Sequence, residues 1–227
     1  LFILSEKRFL RPIFRAFMLA VIFSWMVLAV PATGVSADGI TRVAVIPFQA
    51  IVPEDESAPV RCPVCGNLSS AGPITKDAEK ILEERFTDKL RGVENIELVD
   101  MDKAAGVYQR IKAGSFRKPI TQIITEAGGE LLADVVVAGF LYRYRERIGY
   151  DYSAKRPASV AFEIHMISVT DGKTLWRGIF DKTQKSLMED VFQAPSFFKG
   201  GAKWLTAREL TQLGIDEVFS DFSGFEN

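Results

Sequence analysis

Two cysteines and one histidine are all the thiol and imidazole side chains that this chain of 227 residues carries. So few cysteines exclude a disulfide-dense scaffold and a conventional four-cysteine zinc domain within one chain. An excess of one charge is missing too. The 28 Lys and Arg residues meet 29 Asp and Glu, for a net charge of −1. A phosphate-binding surface normally shows a clear basic excess, so nucleic acid is not an expected partner. The chain has no internal repeat, no Gly-rich phosphate loop, no Ser-centred nucleophile elbow and no metalloprotease helix motif. It therefore reads as a non-enzymatic protein. Its apolar content of 48% is that of an ordinary globular chain.

The beginning of the chain is where hydropathy concentrates. Lys7, Arg8, Arg11 and Arg15 form a basic start, Ala16 to Val30 is apolar apart from Ser24, and Val35-Ser36-Ala37 offers small residues for a signal peptidase. Residues 1–37 are expected to be a secretory signal cut after Ala37. The alternative is an uncleaved anchor, since the apolar run is close to the ~17 residues needed to span a bilayer. No Cys lies near the end of the apolar run, so the lipid-attachment site of a bacterial lipoprotein is not seen there. Residues 38–227 are expected to form a single periplasmic α/β domain with a Cys-containing loop at 49–73.

Periodicity gives the elements of that domain. Thr41 to Phe48 reads as a strand covered on both faces, and 49–73, rich in Pro, as a long irregular loop. Thr75 is a plausible N-cap for a helix to Arg91, with Ala78, Ile81, Leu82, Phe86 and Leu90 on one stripe. A short strand at Glu97–Asp100 precedes helices at 102–112 and 121–132, the second weakened by Gly128-Gly129. Ala133–Arg147 is the strongest strand, with Phe140, Tyr142 and Tyr144 on one face and Leu141, Arg143, Arg145 and Arg147 on the other. Residues 148–157 connect it to an alternating strand at 158–169. Thr170-Asp171-Gly172-Lys173 marks a hairpin to a strand at 175–180. Short helices are expected near 184–192 and 205–213. The fold class is α/β (α+β): a mixed β-sheet with a C-terminal antiparallel meander and helices packed on it.

Cys62-Pro63-Val64-Cys65-Gly66 is the sharpest local motif. It has the form of half a zinc knuckle, but the other half is missing, and His165 lies far along the chain on a strand. Four readings stay open for Cys62 and Cys65. They are a disulfide, a zinc shared between two chains, a dithiol redox centre and inert thiols. Covalent haem attachment is excluded by Gly66 in the place of His. His165 is expected to be a half-exposed residue bonded to a sheet neighbour, with Glu163 on the same polar face. Arg143, Arg145 and Arg147 form a basic row suited to an anion or a partner, or to cross-strand pairing with acids such as Glu163. Trp176, Trp204, Phe197 and Phe198 suit a binding patch or, more simply, core.

The first strand TRVAVIPF, the entry Leu132-Ala133-Asp134 to VVVAGFLYRY, and ISVTDGKTLWRG together resemble the periplasmic domain of the curli-secretion (CsgG-like) lipoproteins. The penicillin-binding-protein activator lipoproteins and the TolB amino-terminal domain look similar. The resemblance spans roughly residues 41–182 and rests on structural motifs. It implies a mixed α/β sandwich and an envelope role through protein contacts, with no catalytic residues to carry over. A curli-type pore needs long hairpins with a lipid-facing apolar side, whereas here the face with Arg143, Arg145 and Arg147 is basic and the Phe140 face suits core. The expected function is that of an exported envelope protein, periplasmic or outer-membrane-associated. Its expected partners are other envelope proteins and further copies of itself, with membrane association if the N-terminus is uncleaved. Two alternatives are a zinc or thiol-redox protein centred on Cys62 and Cys65, and a subunit of a CsgG-like secretion assembly.

Overall fold

Apolar runs without a polar member suit strands covered on both sides. Val43–Ile46 and Val135–Val137 are two such runs, and every residue in them is buried. In a computed structural model, residues 39–53, 55, 58–184 and 203–225 are described. The expected signal at 1–37, most of the helix expected over 184–192, and Phe197 and Phe198 lie outside the described residues.

The described chain runs β1 (Thr41–Val45), β2 (Gln49–Ala50), β3 (Val60–Arg61), β4 (Leu68–Ser69), α1 (Ala78–Leu90), β5 (Ile96–Leu98), α2 (Met101–Ala113) and α3 (Ile120–Glu130). It continues through β6 (Val135–Arg145), β7 (Ile148–Tyr150), β8 (Ser153–Arg156), β9 (Ser159–Ser168), β10 (Thr174–Thr183) and α4 (Ala207–Phe219). The main sheet has the order β10-β9-β6-β1-β5, and β2 also pairs with β6. β1 is parallel to β5 and β6, whereas β6, β9 and β10 form an antiparallel meander. This is the expected mixed sheet with its late meander. At the β9–β10 turn Gly172 has φ +70°, which a residue with a Cβ adopts at a cost.

The two faces carry separate cores. Val43 and Val45 of β1, with Val160, Phe162, Ile164 and Met166 of β9, face α1 and α4. Phe86 sits among Phe48, Trp176 and Phe219 there. Ala44, Val136, Ala138, Phe140, Tyr142 and Ile167 face α2 and α3, through Tyr108, Ile123, Ile124 and Ala127. Cys62 and Val60 belong to this second core.

Several boundaries differ from the sequence reading, each for a local reason. Thr75 does not cap α1. Its Oγ1 donates to the Tyr144 carbonyl at 3.1 Å, and Asp77 occupies the N-cap position. The 49–73 stretch is not wholly irregular, because it supplies β2 and the β3–β4 ribbon. Residues 148–157 form the β7–β8 hairpin. The last helix runs to Phe219 from a capping box between Thr206 and Glu209.

The alternation expected along β6 also breaks. Leu141 pairs with Phe162 and Arg143 with Ala161, so Tyr142 is an extra residue in a β-bulge. The bulge puts Tyr144 in the first core with Leu141 and leaves Phe140 and Tyr142 in the second.

Candidate metal centre

The cysteine motif sits at the tip of the β3–β4 ribbon, where Val60 pairs with Ser69 and Arg61 with Leu68. The Cys62 N–H donates to the Asn67 carbonyl at 2.8 Å, and the Gly66 N–H to the Cys62 carbonyl at 3.0 Å. Gly66 has φ +75°, the conformation that lets the chain turn back after Cys65. Arg61 closes the turn by donating to the Gly66 carbonyl at 2.7 Å. Cys62 thereby points into the second core at 2% exposure, while Cys65 is exposed. Both are free thiols in the structure.

The ribbon tip lies against β9. Alternation puts Glu163 and His165 on the same face of that strand, the face turned toward the second core. Both are completely buried, so His165 is not the half-exposed residue expected from the pattern. The ribbon supplies the cover that the strand sequence does not reveal. The Cys62 Sγ lies 3.3 Å from His165 Nε2, and the Cys65 thiol donates to Glu163 Oε1 at 3.1 Å. His165 Nε2 and Glu163 Oε1 are 2.8 Å apart. One donor atom from each of Cys62, Cys65, Glu163 and His165 lies within 4.8 Å of all the others.

Further groups hold the carboxylate. Arg177 Nε donates to Glu163 Oε1 at 2.5 Å, and the Tyr142 hydroxyl to Oε2 at 3.1 Å. With its carbonyl turned toward Arg177, the Asn67 side chain accepts from that guanidinium at 2.9 Å. Phe140 meets the His165 ring edge-on at 6.1 Å between centroids.

Electrostatics divides the two sulfurs. Burial pushes the Cys62 thiol up, but the hydrogen bonds from His165 and neighbouring backbone outweigh it and bring it down to about 7. Burial raises Cys65 to about 11; the Asn67 backbone opposes this, and Glu163 and Cys62 reinforce it. Burial also works against the Glu163 carboxylate, yet His165, Arg177 and Cys65 together hold it at about 2. His165 is raised, because the Cys62 and Glu163 bonds overcome the loss of solvation.

The donor set fits a thiolate-seeking cation. Tetrahedral Zn–S and Zn–N bonds of ~2.3 and ~2.05 Å imply donor separations of about 3.4–3.8 Å. The contacts of 2.8, 3.1 and 3.3 Å are all shorter than that range, so the donors would have to spread apart to admit an ion. Two thiolates balance a divalent charge and Arg177 balances Glu163, which leaves the buried assembly neutral. One feature opposes the fit. His165 Nδ1 is buried with no hydrogen-bond partner among the described residues, whereas a metal-bound His usually donates its second N–H. That deficit costs about 1–3 kcal/mol, small beside the ~10–16 kcal/mol available from structural zinc.

The arginine row disperses. Arg143, 9% exposed, donates to Ser159 Oγ at 2.6 Å and pairs with Asp181 rather than Glu163. Arg147 pairs with Asp151 and donates to the Trp204 carbonyl at 2.5 Å. The Arg145 Nε is buried and has no partner among the described residues. Burial, with Arg156 and Arg143 nearby, lowers its pKa. Trp176 belongs to the first core as a half-buried ring.

The sequence reading found the cysteines but did not bring Glu163 and His165 to them. The available signal was a pair of polar residues at alternate positions within an otherwise apolar strand face.

No family model matches this chain, and no curated protein matches it. Solved structures similar to it include the PelC dodecamer from Paraburkholderia phytofirmans. That match has 17% identity and a TM-score of 0.44, covering 81% of this chain and 88% of that one. A lipoprotein from Neisseria meningitidis matches at 12% identity and a TM-score of 0.40, covering 71% of this chain and 94% of that one. The LpoB C-terminal domain from Escherichia coli matches at 11% identity and a TM-score of 0.39, covering 66% of this chain and 87% of that one. These likenesses are distant, and the functional reading rests on the chain's own geometry. No helix among the described residues is long and apolar enough to cross a membrane.

Proposed function

We propose that this is a non-enzymatic, exported envelope protein that binds one zinc ion through Cys62, Cys65, His165 and Glu163. The single observation that carries the metal reading is the convergence of these four donors, all within 4.8 Å of one another. The same chain supplies a four-donor set, so a second copy is not needed to complete it. The ion would tie the β3–β4 ribbon to β9, which makes its role structural: it would fix a surface ribbon on the sheet for contact with other envelope proteins. Export is supported by the signal-like pattern of residues 1–37.

A dithiol oxidoreductase is the weaker reading. Such an enzyme presents its activated thiolate to solvent. Here the sulfur with the lowered pKa is Cys62, which is buried, and the exposed Cys65 is the protonated one.

The test is metal content together with mass. Purified protein exposed to zinc and then gel-filtered should keep one zinc per chain as a monomer. Cys62→Ser and His165→Ala should lose it while keeping native circular dichroism. A folded wild-type chain that retains no zinc sinks the reading. One zinc per two chains moves the site to a shared interface.

A further inference from the structure

Two features of the cysteine pair stand apart from metal binding. The first is unequal access, since Cys65 is exposed and Cys62 is 2% exposed. The second is proximity within a closed turn. The Gly66 N–H bond to the Cys62 carbonyl spans the pair, and both sulfurs belong to the group of atoms lying within 4.8 Å of one another. Exchange with an external disulfide requires an accessible sulfur for the first attack and a near sulfur for the second.

We propose that Cys65 is the site at which an external dialkyl disulfide modifies this protein, with Cys62 as the resolving thiol, and that closing the Cys62–Cys65 bond expels the zinc. The expulsion rests on the zinc reading above; the order of attack does not. In the first step Cys65, a protonated thiol in the metal-free form, gives its proton to solvent, and the resulting thiolate attacks one sulfur of the oxidant. A mixed disulfide forms on Cys65, the oxidant's S–S bond breaks, and one thiolate leaves and takes up a proton. In the second step the Cys62 thiolate attacks the Cys65 Sγ. The Cys62–Cys65 bond forms, and the second thiolate leaves and is protonated. Two protein thiols are oxidised and one external disulfide is reduced to two thiols. A disulfide no longer offers thiolate donors. The zinc then retains only His165 and Glu163, too few to hold it. The disulfide and zinc readings of the motif thus become two mutually exclusive states of one site.

The experiment treats the full chain, in zinc-loaded and metal-free forms, with oxidised glutathione. Intact mass and a chromophoric zinc chelator provide the readouts. The expected product is two hydrogens lighter and has released its one zinc. Cys62→Ser should trap one glutathione on Cys65, whereas Cys65→Ser should stay unmodified while folded. Early quenching of the wild type, with peptide mapping, locates the first adduct without relying on either variant. A first adduct on Cys62 overturns the proposed order. Zinc retained by the disulfide form overturns the exclusion. Zinc that never binds, with the Cys65 adduct still seen, removes the zinc reading and the expulsion step but leaves the order of attack standing.

Discussion

Lowering the pH sets protons against zinc at three of the four donors, and the size of the effect follows from their starting states. Glu163, held at about 2, is already ionised at neutral pH and releases nothing. Cys65, at about 11, must give up a proton at any neutral pH. His165, raised above its ordinary 6.5, gives up a second while it is protonated. Cys62 gives up a third only as the pH falls below about 7. Each proton released weakens apparent affinity about tenfold per pH unit of acidification. The two thiols alone make zinc affinity fall about tenfold per unit above neutrality, where only Cys65 is protonated, and about 100-fold per unit below about 7, where Cys62 is protonated too; His165 steepens the fall wherever it carries its proton. Competition with a chromophoric chelator across this range gives the slope, and calorimetry in buffers of different ionisation enthalpy counts the protons. A slope below one proton per unit would show that the thiols are not the zinc donors and would refute the argument.

Gly128 and Gly129 should respond in opposite ways to Ala. A Cβ at Gly128 would meet Val169 Cγ2 at 2.4 Å and Val136 Cγ2 at 2.6 Å, while one at Gly129 meets nothing within 4 Å. Gly128→Ala should cost about 1–3 kcal/mol, and Gly129→Ala should stabilise by up to ~1 kcal/mol. Urea unfolding checks both, and equal effects would contradict the α3 packing. Phe86→Ala removes a fully buried ring from among Phe48, Trp176 and Phe219 and should cost about 3–5 kcal/mol by the same measurement. A loss under ~1.5 kcal/mol would mean that the core collapses around the gap. The Glu163 carboxyl titrates at about 2 against an ordinary 4.5, so its contribution is present above 4.5 and lost as pH falls through about 2. Metal-free Glu163→Gln should lack that part of the acid-unfolding profile; an unchanged profile would show that the carboxylate is not held as described.

The fold was largely legible because its elements carry local signals. Val43–Ile46 and Val135–Val137 announce covered strands by being uniformly apolar, and Asp171-Gly172 announces the hairpin by turn chemistry. The β6 bulge was not legible. Tyr142 fits the alternating pattern, and only pairing with β9 makes it the extra residue. Thr75 and Asp77 are both acceptable cap residues by type. The choice fell to a tertiary contact, the bond from Thr75 to the Tyr144 carbonyl.

The candidate site divides along the same line. Residue order alone determined that Cys62 and Cys65 share one turn, because three positions of chain with Gly66 after them set that spacing. It also determined that Glu163 and His165 share one face of a strand, because side chains alternate along a strand. Nothing local brings the two pairs together across about a hundred residues of chain. That meeting depends on the β3–β4 ribbon folding over β9 and burying charged and polar groups that could stay in only if they satisfied one another. The sequence determined the donors; the tertiary structure decided that they form one centre.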